Sequence, residues 1–144
     1  VVTLVCLPKT AWPPTLLAGV PRALPALIKA QRIQEKAANA GFDWEERAQV
    51  WDKVKEEISE VDAEAIAGNS EALESEFGDL FFSLVNAARL YGITPENALE
   101  KTNKKFIRRF SHIETETAEA GKKLNELTLA EMDKLWNEAK KLEK

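Results

Sequence analysis

The chain has 144 residues, 44% hydrophobic and 31% charged, proportions that exclude a disordered or fibrous polymer and fit one soluble domain of common size. Its formal net charge of −4 gives no general electrostatic grip on nucleic acid or an anionic membrane, so a phosphate-bearing ligand needs a local site. The single cysteine, Cys6, permits no internal disulfide, and without a Cys/His cluster there is no zinc site, an inventory that suits a reducing cytoplasm.

The apolar opening Val1 to Leu7 falls far short of the ~20 residues of a membrane span and lacks the basic start of a signal peptide. With no initiator methionine, the sequence reads as a piece of something longer or as a trimmed chain. Residues 1–22 carry Pro8, Pro13, Pro14, Pro21 and Gly19, the composition of an irregular lead-in. From there, 23–144 reads as one domain. Its helical period breaks at Gly41 to Asp43, Gly68 to Ser70, Gly92 to Thr94 and Gly121 to Leu127, which predicts helices near 24–39, 45–67, 70–91, 95–119 and 128–143. Thr94-Pro95 supplies an N-cap before a proline at the first helical position, and Thr128 with Glu131 forms a capping box. No stretch alternates as a strand does, so the fold class is all-α, an antiparallel bundle of about five helices.

Along the second predicted helix, Val50, Val54, Ile58, Val61 and Ala65 form the expected core stripe, with Glu57 at its edge, Glu60 just beyond and Glu56 further out. The third is apolar on nearly every side, which predicts burial in a core or between subunits, with Phe77, Phe81 and Phe82 as packing residues. Down it runs one narrow polar strip: Glu76, Asp79, Ser83 and Asn86. Ser83 is expected to bond back to its own helix. In the fourth, Leu99, Phe106, Phe110 and Ile113 make the stripe, Lys105 and Arg109 flank it one turn apart, and Asn103 lies on the opposite flank. His112 reads as a surface or partly buried residue rather than a ligand.

Glu57 and Glu60, and Glu76 and Asp79, are each spaced i,i+3, and a short Gly68-Asn69 turn makes their helices antiparallel, so four acids can converge. Clustered carboxylates with reduced hydration repel one another by several kcal/mol unless a cation sits among them. An all-oxygen set favours Mg²⁺, with Mn²⁺ as the alternative, and the lack of Glu-x-x-His pairs disfavours iron. Lys105 and Arg109 can hold anionic oxygens, Arg109 in the bidentate manner; pairing with surface acids is the bland alternative.

The pattern Glu56-Glu57-x-x-Glu60, fifteen residues, then Glu76-x-x-Asp79 resembles the acidic signature of the MazG nucleoside triphosphate pyrophosphohydrolases, within the all-α NTP pyrophosphatase superfamily. The runs Gly41-Phe42-Asp43-Trp44, Trp51-Asp52-Lys53-Val54, Phe77-Gly78-Asp79-Leu80 and Asn103-x-Lys105-Phe106-x-Arg108-Arg109-Phe110 are similar too, over residues 20 to about 142, most closely to the C-terminal domain of two-domain members. The resemblance implies cleavage of a nucleoside triphosphate between its α and β phosphates, a Mg²⁺ site and a homodimer. It implies that Glu57, Glu60, Glu76 and Asp79 bind metal, that Lys105 and Arg109 contact phosphate, and that Asn86 and Asn103 lie near substrate. Lys36, Trp136 and Lys140 match more loosely, as closing contacts for base or phosphate, and Glu56 is the candidate for orienting water. The rival expectations are a related pyrophosphatase narrow for dUTP, dCTP or phosphoribosyl-ATP, and a non-catalytic helical dimerisation module.

Overall fold

The computed structural model describes residues 15–143. Within them lie five α-helices: α1 (Ala26–Asn39), α2 (Val50–Ala67), α3 (Ser70–Leu90), α4 (Pro95–Glu119) and α5 (Leu129–Leu142), with short 3-10 turns at Leu16–Gly19, Arg47–Gln49 and Leu124–Glu126. The all-α class and the five helices follow the expectation. The two largest boundary shifts have local causes. Pro25, at φ −53 and ψ 143, takes the N-cap place of α1, so that helix starts at Ala26. The Asp43 carboxylate accepts the Trp44 N–H at 2.9 Å, and the Gln49 side chain accepts the Glu46 N–H at 3.2 Å, which holds 43–49 in turns before α2 can begin.

The chain forms two compact units, the first running through Pro95 and the second from Glu96. In the first, Gly68 ends α2 at φ 74, a left-handed cap closed by its N–H to the Glu64 carbonyl at 3.0 Å. The next residue, Asn69, caps α3 through its side-chain oxygen, which accepts the Ala72 N–H at 3.2 Å. Two residues therefore suffice to reverse the chain, and α2 and α3 pack as an antiparallel hairpin. Val50, Val54 and Ala87 are its buried centre, with Trp44, Leu80 and Leu90 packed around them. Helix α1 lies against α3, where Gln34 donates from its amide nitrogen to the Phe82 carbonyl at 2.9 Å.

Two packing expectations are corrected. On α2 the covered line is Val50, Val54 and Glu57, continuing half-buried through Val61 and Glu64, while Ile58 is 51% exposed and Ala65 is exposed. The line runs with steps of four and three, so α3 presses one residue to the side of the apolar stripe, and Glu57 rather than Ile58 takes the third buried place. On α3 only Ser83, Val85 and Ala87 are fully buried; Phe77, Phe81, Phe82 and Leu84 are exposed, Phe81 by 59%. These phenylalanines are not core in this chain, because α1 and α2 cover only part of the circumference of α3.

In the second unit, Thr128 caps α5 by accepting the Glu131 N–H at 3.2 Å and donating its own N–H to the Glu131 carboxylate at 2.8 Å, the capping box expected there. Ile113, Thr117 and Ala139 are buried, and Trp136 packs its ring 5.1 Å from that of Phe106, which stays 56% exposed rather than joining a core. Among the described residues no helix is long and apolar enough to cross a membrane. Cys6 and Trp12 lie outside the described residues.

Candidate active site

The α2–α3 hairpin brings one oxygen each from Glu57, Glu76 and Asp79 to within 4.8 Å of one another. Glu57 is the buried member, with 3% exposure, Glu76 is half-buried, and Asp79 is exposed. Glu60 stands on the open side of the same group. Hydrogen bonding to Glu57, then desolvation and the charges of Glu57, Glu76 and Glu56, hold its carboxyl above the ordinary 4.5. Four acids therefore share one field.

Among the described residues one cation answers them locally. Lys53 extends its ammonium to 2.6 Å from Glu57 Oε1 and 3.2 Å from Glu56, and the hydrogen bond to Glu57 is the first cause raising its pKa above the usual 10.5. The other oxygen of Glu57, Oε2, is buried and has no partner. An unpaired buried carboxylate oxygen is costly, and a divalent cation taken up by Glu57, Glu76 and Asp79 removes that cost, so the donors present fit a hard metal ion. A cavity of about 350 Å³ opens beside them, with Lys53, Glu57, Asp79, Ser83 and Asn86 in its wall. Asp79, Ser83 and Asn86 of the α3 polar strip thus face one space, and the Ser83 hydroxyl bonds back to the Leu80 carbonyl at 2.8 Å as expected.

The remaining candidates fall in several places. Asn86 stands with the acids, its side-chain oxygen accepting two bonds from Arg89 at 3.1 and 2.6 Å. Lys36 lies against the 3-10 turn, close enough that a Cβ on Gly19 would stand 2.6 Å from its ammonium. In the second unit, Arg109 lies 5.5 Å over the Trp136 ring and pairs with Glu143 at 2.8 Å, beside Lys140 in the wall of a cavity of about 660 Å³. Pairing with an acid, the bland alternative for Arg109, is what this unit displays. Lys105 and Asn103 are exposed, and Asn103 donates to Glu100 at 3.5 Å. His112 is half-buried, 3.7 Å from Glu138.

Sequence reasoning gave no place to Lys53, Gln34 or Glu143. Lys53 had a signal, its i,i+4 spacing to Glu57; the others make contacts that helical period does not encode.

Comparison with known proteins matches residues 38–114 to the MazG nucleotide pyrophosphohydrolase domain. The chain is 44% identical over 129 residues to a nucleoside triphosphate pyrophosphohydrolase of Escherichia coli K12, covering 88% of this chain and 49% of that protein. It is 42% identical over 117 residues to the nucleoside triphosphate pyrophosphohydrolase/pyrophosphatase MazG of Thermotoga maritima, covering 81% and 45%. With the uncharacterized protein YabN of Bacillus subtilis it shares 52% over 131 residues, 90% of this chain and 27% of that one. The chain spans about half the length of the first two relatives.

Proposed function

Because the chain belongs to the MazG nucleotide pyrophosphohydrolase family, we propose that it hydrolyses nucleoside triphosphates to a monophosphate and pyrophosphate at the Glu57, Glu76 and Asp79 cluster. The observation that carries this reading is the buried, partnerless Oε2 of Glu57 among converging carboxylates. Glu57, Glu60, Glu76 and Asp79 would hold Mg²⁺, or Mn²⁺ in its place. The ion, when bound, supplies charge neutralisation at the phosphate oxygens and acidifies water.

The chain's own residues then have separable tasks. Lys53, which reaches Glu57 in the cavity wall, would meet a phosphate oxygen, and Asn86 lies near the substrate in the same wall. Glu56, exposed and held only by Lys53, takes the proton as water adds at phosphorus and the α–β anhydride breaks, leaving pyrophosphate as the departing group. Arg109 and Lys140 are phosphate contacts in this reading, Arg109 by its two-pronged guanidinium, with Trp136 packed beneath it; Lys105, Asn103 and Lys36 are further contacts. The apolar surface of Phe77, Phe81 and Leu84 on α3, with Ile58 and Ile66 on α2, suits a second copy of the chain, so the working form in this reading is a homodimer. The cytoplasm, where a lone Cys6 stays reduced, is its setting.

Product analysis tests the reading. Incubated with a panel of triphosphates and Mg²⁺, the protein should release pyrophosphate and monophosphate in equal amounts, and nothing when the metal is chelated. Release of orthophosphate, or no release from any triphosphate, overturns it. Light scattering on the same preparation decides the dimer.

A further inference from the structure

A second cavity, of about 490 Å³, lies between α1, the Phe42–Trp44 turn and α3, and shares Trp44, Phe82 and Asn86 with the acidic cavity. Its walls are mainly apolar and aromatic, and one buried polar group breaks that character: Gln34, 5% exposed. A main-chain carbonyl only accepts, so the 2.9 Å bond from Gln34 to the Phe82 oxygen fixes which end of the amide is nitrogen. The other end, Oε1, is therefore an acceptor held in place, and it is buried without a partner. The charged groups nearby offer nothing in its stead. Arg89 spends its guanidinium on Asp43, at 3.1 and 2.6 Å, and on the Asn86 oxygen, which leaves Asn86 only N–H to present.

The cavity thus offers mainly apolar walls, one fixed buried acceptor in Gln34 Oε1, the Asn86 amide donor, and the Arg89–Asp43 pair, whose charges are turned on each other. A phosphate or a sugar would meet too few polar partners there, whereas a planar heterocycle carrying an N–H and a ring or carbonyl acceptor along one edge satisfies both. We infer that this cavity takes the base of the nucleotide and that Gln34 determines specificity by accepting an N–H from the base edge. The inference rests on the hydrolase reading above, since the shared wall at Trp44, Phe82 and Asn86 joins the base site to the phosphate site. Base preference then follows from which N–H reaches Gln34 Oε1, and a site built to pair a polar group discriminates more sharply than an apolar slot does.

The test compares kcat/KM for a panel of nucleoside triphosphates and for ribose 5′-triphosphate, which has no base, in the wild type and in Gln34→Met. The variant should lose ~10- to 100-fold on its best nucleotide and flatten the ranking of bases, with the baseless substrate within ~2-fold of wild type. The Phe82 carbonyl keeps its own helical bond, so α3 should survive the change. Phe42→Ala, at a position 85% exposed in the same cavity wall, gives a second variant that leaves the fold alone and should raise KM several-fold for nucleotides only. Equal losses on both substrate types, or unchanged ranking in Gln34→Met, overturn the inference and leave the hydrolase reading standing. Should the wild type hydrolyse no triphosphate, the hydrolase reading falls by itself. Equilibrium dialysis of unphosphorylated nucleosides against wild type and Gln34→Met then decides the cavity, and absence of binding, or equal binding to both, overturns it.

Discussion

In the α2–α3 hairpin, five acids, Glu56, Glu57, Glu60, Glu76 and Asp79, stand around a single lysine, whereas in the α4–α5 unit Arg108 and Arg109 share one carboxylate, Glu143, with Lys140 and Lys141 beside it. One cluster keeps an excess of negative charge and leaves a buried oxygen unpaired; the other keeps an excess of positive charge but lends its arginines to an internal anion. Each cluster is incomplete in the opposite sense: the acidic one suits a cation, and the basic one suits an anion that displaces Glu143.

Removing a carboxylate charge should break this comparison most severely. Asp79→Asn keeps the volume and the helix but deletes a donor charge, and the loss of several kcal/mol of charge stabilisation should lower kcat by ~1,000-fold or more. Pyrophosphate release measures the loss, and unchanged far-ultraviolet dichroism shows that α3 is intact. The same variant sharpens the comparison through stability. At a Mg²⁺ concentration 100 times its dissociation constant, a cation that binds only the folded wild type adds about 2.7 kcal/mol, so its melting temperature should rise by several degrees. Asp79→Asn should show little of that rise. A wild type whose melting point ignores Mg²⁺ would remove the acidic half of the argument.

The basic half should respond less. Arg109 holds Glu143 through Nε at 3.0 Å and through a terminal nitrogen at 2.8 Å, the two-donor geometry that also suits a phosphate. Arg109→Ala should raise KM by ~10- to 100-fold, the equivalent of one charge-assisted pair, while kcat falls less. Glu143→Gln should act in the opposite direction and lower KM a few-fold, because the internal competitor has lost its charge. Steady-state kinetics on the two variants separates them, and a KM that moves the same way in both would show that Glu143 is no competitor.

Much of the acidic half was legible in the sequence for a physical reason. The i,i+3 spacing of Glu76 and Asp79 fixes that they share a face of α3, whether or not the rest of that helix is covered. Gly68-Asn69 likewise dictates the hairpin, since one residue supplies the left-handed cap and the other the next N-cap. The angle at which α3 meets α2 was not legible. Helical period gave the stripe Val50, Val54, Ile58, but the partner covers the line through Glu57, and only the packed pair determines that rotation. Nor does an apolar surface say whether its own chain covers it, which is why Phe77 and Phe81 read as core. The bonds Gln34 to Phe82 and Arg89 to Asp43 join residues 48 and 46 positions apart, beyond any local pattern.

The smallest expected effect is also the most discriminating, because its sign reverses with the cation. Glu60 shares its field with Glu57, and its carboxyl is held above the ordinary 4.5. A carboxyl raised on folding favours the folded chain below its unfolded pKa, and that contribution is lost as pH rises through the folded value. Without metal, wild-type stability should therefore decline with pH just above 4.5, and Glu60→Gln, which cannot ionise, should melt slightly higher than wild type at neutral pH. Below that window the two should converge. With Mg²⁺ at neutral pH the order should invert, because the charge that was a burden has become a ligand. Melting curves at two pH values, with Mg²⁺ and with a chelator, check all of this on two proteins. If Glu60→Gln stays the more stable in every condition, Glu60 contributes repulsion alone and belongs outside the metal-holding set.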